Sequence, residues 1–307
     1  MRVLTVPAFA KINLTLRVLG VRDDGYHLVR TVLQSLALHD TLTFHAAPGA
    51  FRIECDDPAC PADRTNLVWR AADLLWRAAA RRGRARGVAV QISKRIPMQA
   101  GLGGGSSDAA AAIRGLSDLW RLDLAPERLH GIAASLGADV PFFLEGGTAL
   151  GVDRGDLVFQ LIDQPPAWVT LTLPPFGVST KDAYGWFDED LRSPSGAGRR
   201  PGTPRRSRSA NRRPTFEGRG LPPSEWGNDL EPPVAWRYRA IAGMVDRLGR
   251  SGAFHAAMSG SGSAVYGLFT TSGEARAAAR RLAGPGCRTI VTRTLNRKQF
   301  TERTRHP

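Results

Sequence analysis

The chain has 307 residues, 42% of them apolar and 23% charged, with a net charge of +14; these proportions describe a globular protein long enough for two domains. No apolar run approaches the ~18 residues of a membrane span, and the first apolar stretch is broken by Lys11 and Asn13, unlike a secretory signal, so a cytoplasmic protein with no membrane partner is expected. Cys55, Cys60 and Cys287 make no disulfide framework and have no second Cys/His pair at metal spacing; they read as structural thiols.

Residues 3–9 and 12–18 are apolar, alternating and rich in β-branched side chains, which predicts two strands or one bent strand carrying Lys11 and Asn13. A lysine without a partner is costly in such a segment. A buried carboxylate would resolve that cost, and Asp139 is a candidate. Spacing does not pair the two, and a surface lysine and a helix-capping aspartate are the ordinary alternatives. Arg22-Asp23-Asp24-Gly25 is a turn by composition, followed directly by Tyr26-His27. Residues 29–38 read as strand or short helix, and 40–45 and 51–55 as strands. The stretch 66–82 has helical spacing, with Leu67, Ala71, Leu74, Leu75 and Ala78 on one face. Residues 88–92 form a strand leading through 94–97 into a glycine loop.

In that loop Gly101, Gly103, Gly104 and Gly105 are followed by Ser106, Ser107, Asp108 and four alanines. Glycine serves positive-φ backbone and close approach to a ligand. Ser and Asp start helices, and Ala extends them. The pattern predicts a loop delivering the N-terminus of a helix running from Ser107 to about Leu119, a natural site for phosphate. No Gly-Lys-Ser/Thr follows, so it is not a Walker A loop. Ser106 stands where a dinucleotide fingerprint needs its third glycine. Each glycine costs about 0.5–1 kcal/mol relative to Ala, a cost that a plain connector has no need to bear.

A second helix is expected over 126–136, with Gly137 at its end, and Asp139-Val140-Pro141 resembles an N-cap followed by an early-helix proline. Residues 148–152 read as a strand, and 157–173 as two strand-like runs split by Pro165-Pro166. Residues 192–225 are rich in Arg, Pro, Ser and Gly and predict a disordered insertion. Between 192 and 220 nine arginines face one acid, Glu217, so this segment carries +8 of the +14 and the remainder is only mildly basic. Beyond it come a helix at 233–248, a strand–turn–strand unit over 252–269 with the small-residue turn at 259–263, a helix at 274–283 and a strand at 289–295. Strands and helices mix without strict alternation, which predicts an α+β fold.

Phosphoryl transfer requires a phosphate cradle, a group that takes or orients the nucleophile's proton, and positive charge near the transferred group. The loop at 101–107 supplies the first, and the turn at 259–263 offers further backbone N–H groups. Ala10-Lys11-Ile12-Asn13-Leu14, the stretch 97–110, and Met258-Ser259-Gly260-Ser261-Gly262-Ser263 together resemble the three short motifs of the GHMP kinases, in the right order. Asp24-Gly25-Tyr26-His27, Leu102-Gly103-Gly104-Gly105-Ser106-Ser107, Gly137-Ala138-Asp139-Val140-Pro141-Phe142-Phe143, Val178-Ser179-Thr180 and Asn228-Asp229-Leu230-Glu231 are similar to the branch acting on a cytidine diphosphate-linked methylerythritol. The resemblance spans nearly the whole chain and departs at 192–225, where the family has a short connection.

The resemblance implies a GHMP kinase fold, with a ribosomal-protein-S5-domain-2-like N-terminal domain over 1–158 and a ferredoxin-like C-terminal domain over 159–307. It implies an ATP- and Mg2+-dependent kinase phosphorylating the 2-hydroxyl of that small-molecule substrate, on the non-mevalonate route to isoprenoids. Asp139 would be the catalytic base, and Lys11 would orient it and stabilise developing charge. A carboxylate kept charged by a lysine is a weak base, so positioning outranks proton abstraction. Asn13 would hydrogen-bond near the reacting groups. Tyr26 and His27, with Thr180 and Tyr184 nearby, would form the cytidine pocket, combining an aromatic face with a polar edge. Gly101, Leu102, Gly103, Gly104, Gly105, Ser106 and Ser107, entered from Pro97, would hold the ATP phosphates, with Lys94 and Asn66 near the nucleotide. Ser106 or Ser107 would touch Mg2+, and Asp108 would contribute through water or simply cap the helix; no metal site is visible in the sequence. The rival readings are a homoserine or mevalonate kinase of the same family, which Tyr26-His27 and the extra glycines argue against, and a nucleic-acid-binding protein using the basic insertion. The insertion has one aromatic residue, Phe216, which provides poorly for base stacking. Monomer and homodimer stay equally open.

Overall fold

The computed structural model describes residues 3–192 and 225–304. The basic insertion expected at 192–225 lies outside the described residues except for its two ends. Two sheets organise the chain. The N-terminal segment is one 19-residue strand, β1 (Val3–Val21), paired antiparallel along β2 (His27–Ala50). Of the two readings of 3–18, the single bent strand is the one realised. The register slips between Phe9 and Lys11, between Asn13 and Thr15, and between Val18 and Gly20. Such bulges bend a strand and re-aim its side chains, and here two of them flank Lys11 and Asn13. Residues 29–38 are strand throughout, inside β2.

Strands β3 (Arg52–Cys55), β4 (Arg86–Ser93), β5 (Thr148–Val152) and β6 (Leu157–Gln160) complete the first sheet, in the order β3-β4-β2-β1 with the β5–β6 hairpin also attached to β2. Helices α1 (Leu67–Ala78), α2 (Gly104–Leu119) and α3 (Pro126–Leu136) bury Leu75, Ala109, Ala112, Ile113 and Ala133 in one core with Val6, Leu33, Leu42 and Phe44 of the sheet. Alanines along α2 let helix and sheet approach closely while sacrificing little side-chain entropy. A short helix, α4 (Phe142–Glu145), follows.

The second sheet is antiparallel. Its strands β7 (Trp168–Leu173), β9 (His255–Met258), β10 (Val265–Phe269) and β11 (Arg288–Arg293) lie in the order β11-β7-β10-β9. β8 (Gly227–Asn228) crosses back to the first sheet and pairs parallel with β1. Together the sheets and helices make the α+β fold expected. A division after residue 158 would fall inside β6 (Leu157–Gln160). The helix expected over 233–248 is two helices, α6 (Glu231–Arg237) and α7 (Arg239–Arg250), broken at Tyr238 (φ −118°, ψ 83°). The Tyr238 ring stacks on Phe176, with ring centres 4.6 Å apart. Between them in sequence and beyond, α5 (Thr180–Arg192), α8 (Ser272–Leu282) and α9 (Arg297–Thr304) complete the set. No helix among the described residues is long and apolar enough to cross a membrane.

Candidate active site

The glycine loop differs from its sequence reading in one respect. Helix α2 starts at Gly104 and not at Ser107, and its N-cap is Gly103 in the left-handed conformation (φ 73°) with no side-chain cap. Ser106, Ser107 and Asp108 therefore sit inside the first turns and do not cap them. The amide of Ser107 is bonded to Gly103 O at 2.8 Å, which leaves the N–H groups of Gly104, Gly105 and Ser106 at the open, positive end of the helix. A Cβ on Gly103 would meet the Phe143 ring at 2.7 Å and Lys11 Cγ at 3.1 Å, so this position needs glycine for space as well as for φ. Beside Gly105 there is open space, with nothing within 4 Å of an added Cβ. Pro97 is half-buried in the lead-in, and Leu102 is buried in the core and accepts the Lys11 backbone N–H at 3.0 Å. The turn at 259–263 is bound to the same loop: Ser259 Oγ donates to Gly101 O at 2.9 Å, and the Ala264 N–H donates to Ala100 O at 3.1 Å.

The paired lysine and aspartate are also there. Lys11 Nζ, on a side chain 4% exposed, lies 3.3 Å from Asp139 Oδ2 and donates to Asn13 Oδ1 at 2.7 Å. Asn13 Nδ2 donates to Thr31 Oγ1 at 2.7 Å, and that hydroxyl donates to Thr15 O at 2.6 Å. This relay fixes the Asn13 amide with its oxygen toward the ammonium. The N-cap of α4 is Pro141, so Asp139 caps nothing and is free to face Lys11. Its side chain is 37% exposed. A Cβ on Gly260 would lie 3.3 Å from both Lys11 Nζ and Asn13 Oδ1, which brings the third motif over the pair.

Two residues expected near the nucleotide have their side chains engaged by the fold. Asn66 caps α1, its Oδ1 accepting from Val68 N at 2.9 Å while Nδ2 donates to Pro61 O at 2.6 Å. Lys94 Nζ sits beneath the start of α2, 2.5 Å from Asp40 Oδ2 and 2.7 Å from Asp108 Oδ2, on a side chain 5% exposed. Burial lowers the affinity of its ammonium for a proton, and the charges of Asp108 and Asp40 reverse that and raise it. Burial pushes the Asp108 carboxyl up to about 7, against the pull of Lys94. An ammonium so enclosed must be matched by carboxylates, and here two of its three N–H donors go to Asp40 and Asp108, while Nζ stays close to Gly104 at the head of the cradle.

On the acceptor side, the His27 ring stacks on Tyr184 with centres 4.5 Å apart, and His27 Nε2 is 3.0 Å from Asp188 Oδ1. Burial, helped by the charge of Asp139, pushes the Tyr184 hydroxyl up to about 12. Thr180 Oγ1 is 3.0 Å from Ser261 Oγ, joining the start of α5 to the third motif. Tyr26 stands apart: it is 59% exposed, with the Arg154 guanidinium 5.4 Å from its ring centre.

Supporting residues emerge that the sequence reading did not single out by role. Asp40, fully buried, accepts from the backbone N–H groups of Arg95 and Ile96 at 2.5 and 2.7 Å as well as from Lys94. Its sequence signal is an acid at the head of an alternating strand. Asn228 Nδ2 donates to Met258 O and Gly260 O at 3.0 and 2.7 Å, and Glu231 Oε2 accepts from Met258 N at 2.7 Å. The stretch 228–231 therefore holds the third motif in place.

Residues 66–147 match the family described as GHMP kinases N terminal domain, and residues 223–286 match that described as GHMP kinases C terminal. The chain is 41% identical over 296 residues to the 4-diphosphocytidyl-2-C-methyl-D-erythritol kinase of Pelotomaculum thermopropionicum, spanning 96% of this chain and 99% of that one. It is 43% identical over 296 residues to the enzyme of the same name from Moorella thermoacetica, spanning 96% and 100%. A crystal structure of 4-(cytidine 5'-diphospho)-2C-methyl-D-erythritol kinase superposes with a TM-score of 0.73 at 33% identity, covering 95% of this chain and 99% of that one. Mevalonate kinase of L. major, in complex with R-mevalonate, shares the fold alone, at a TM-score of 0.67 and 16% identity, covering 95% and 96%. The chain belongs to the GHMP kinase family and, within it, to the group of 4-diphosphocytidyl-2-C-methyl-D-erythritol kinases.

Proposed function

We propose that this chain transfers the γ-phosphoryl group of ATP to the 2-hydroxyl of 4-diphosphocytidyl-2-C-methyl-D-erythritol. The observation that carries this reading is the contact between Lys11 and Asp139, 3.3 Å apart, beside a helix start whose first amides are free. The N–H groups of Gly104, Gly105 and Ser106 hold phosphate oxygens, aided by the positive end of α2. Asp139, the more exposed partner, takes the hydrogen bond of the acceptor hydroxyl and aims its oxygen. Lys11, fixed by Asn13, neutralises charge on the transferring group. In a loose transition state such positioning and electrostatics supply most of the rate. His27 and Tyr184 give the cytidine a ring face and a ring nitrogen.

A Mg2+ ion is implied by the reaction. Among the described residues no group of three His, Cys, Asp or Glu could hold a metal, Ser107 is buried and Asp108 is enclosed with Lys94. Oxygen donors that remain accessible include Ser106 Oγ and the Asp139 carboxylate. Such a sparse set fits an ion bound mainly by phosphate oxygens and water, which when bound neutralises phosphate charge.

The test is ADP release with 4-diphosphocytidyl-2-C-methyl-D-erythritol, comparing wild type with Asp139→Ala. Wild type turns over, and the variant loses about 10²- to 10⁴-fold in kcat. No turnover by wild type, or an undiminished rate in the variant, overturns the proposal. Turnover with mevalonate or homoserine in its place moves the acceptor to another branch of the family.

A further inference from the structure

At the opposite end of α2 from the glycine loop, about 24 Å away for a 16-residue helix, a cleft of about 460 Å3 opens between α1, α2 and β4. Gly49, Trp76, Arg81, Arg86, Gly87 and Trp120 line it. The Arg81 guanidinium lies 4.8 Å from the ring centre of Trp76 and 6.0 Å from that of Trp120, and the Arg86 guanidinium lies 6.0 Å from Trp76. The two indoles meet edge to face at 5.1 Å. Arg81 Nη2 also donates to Trp120 O at 2.9 Å. Arginines 77, 81, 82, 84 and 86 crowd this corner, with no acid between 77 and 86. Among the described residues none of the five forms an ion pair with a carboxylate, although eight ion pairs involve arginines elsewhere.

An indole face attracts a guanidinium without neutralising it. Two arginines held near one ring thus line the cleft with no carboxylate among the described residues paired to either, and a cleft lined by one sign of charge concentrates counter-ions. A planar fork fits phosphate oxygens in pairs. Trp120 is only half-buried and leaves part of an aromatic face to the cleft, whose volume is within the range of small-ligand pockets. The catalytic residues do not reach this end of α2.

We propose that this cleft is a second anion site, binding a small phosphate-bearing molecule through Arg81 and Arg86, with any flat group of the ligand resting on Trp120. The shared chemistry is phosphate, borne either by inorganic pyrophosphate or by a nucleotide. Calorimetric titration of the full chain with inorganic pyrophosphate and, separately, with cytidine 5'-monophosphate distinguishes these sources and counts sites. The deciding variant is Arg86→Gln: this side chain is exposed and its contact is the Trp76 ring, so its loss spares the fold. Arg81→Gln is the companion, because Arg81 also ties α1 to α2.

The expected result is binding with a dissociation constant of about 1 mM or tighter for at least one of the two ligands. In Arg86→Gln the number of sites per chain falls by one or that site weakens about tenfold or more, while kcat/KM of the kinase reaction is unchanged. Trp120→Leu weakens the nucleotide and spares pyrophosphate when the ligand carries a base. Identical isotherms in wild type and Arg86→Gln overturn the proposal, since the anion then sits on the glycine loop. A single-stranded oligonucleotide that outcompetes both ligands, with the steep salt dependence of many phosphate contacts, also overturns it in favour of a nucleic-acid surface.

Discussion

Two buried lysines flank the same glycine loop, and their surroundings separate chemistry from architecture. Lys94 is enclosed by two carboxylates whose side chains are 0% and 5% exposed, those of Asp40 and Asp108. Lys11 has one carboxylate, Asp139, which is 37% exposed, and the neutral oxygen of Asn13. The first ammonium has its charge matched inside the protein by two carboxylates, which weakens the field it can lend a ligand. The second is matched only at an open edge, so a phosphoryl group entering that edge gains its field. Burial alone does not mark a catalytic lysine; incomplete neutralisation beside an opening does.

The comparison is broken most sharply by exchanging each ammonium for an isosteric apolar chain. Lys94→Met leaves Asp40 and Asp108 facing each other with no cation, and removing one partner of a buried ionic cluster costs about 3–5 kcal/mol. A urea midpoint for this variant therefore falls steeply, and activity follows the fold. Lys11→Met leaves Asp139 near solvent, where water takes over its hydration, and takes the donor from the buried Asn13 Oδ1, so stability falls by about 1–3 kcal/mol, less than for Lys94→Met. Its ADP-release rate falls about 10²- to 10³-fold, the usual loss for a group that stabilises transition-state charge. If Lys94→Met keeps its urea midpoint and loses only activity, the division between the two lysines fails.

Lys11 was legible because a lysine in an alternating apolar run is an anomaly that sequence exposes. Helix α3 and strand β5 were equally plain, and their bounds agree with the periodicity. The start of α2 was not, because propensity disfavours Gly104 and Gly105 in a helix and only the packing of Gly103 against Phe143 and Lys11 sets the cap there. Asp139 carried the pattern of a cap and was also a candidate partner for Lys11; spacing did not pair the two, and the structure does, at 3.3 Å. Helix α5 went unread because so much of its sequence is charged; only Ala183 is fully buried in it, and its aromatic side chains Tyr184, Trp186 and Phe187 pack without a clean helical stripe. Tyr26 and His27 looked alike in sequence. Adjacent residues entering a strand point to opposite faces, and the structure sends only His27 to Tyr184.

Within the cradle the same logic predicts a smaller, purely functional effect. Gly105 is helical and has free space beside it, so Gly105→Ala is accepted by the fold and gains up to about 1 kcal/mol from helix propensity. The methyl group occupies the space where the free amides meet phosphate. KM for ATP therefore rises about tenfold while the urea midpoint holds or improves. A variant with unchanged KM would place the phosphates away from the start of α2.

A half-buried charge tests whether neutralisation is the governing variable. Among the described residues Glu231 has a backbone N–H as its partner and no cation, and burial pushes its carboxyl up to about 6, with the Met258 N–H pulling the other way. A carboxyl whose folded pKa is raised adds stability below its unfolded value, near 4.5, and loses that contribution as pH rises through about 6. At pH 8 the ionised group is a net cost. Glu231→Gln keeps an oxygen for the Met258 N–H and removes the charge. It is expected to stabilise the protein by about 1–2 kcal/mol at pH 8, the equivalent of a shift of this size, and to be nearly neutral at pH 4. Urea midpoints at the two pH values check this, and a stabilisation that is the same at both would assign the effect to packing around the third motif and not to charge.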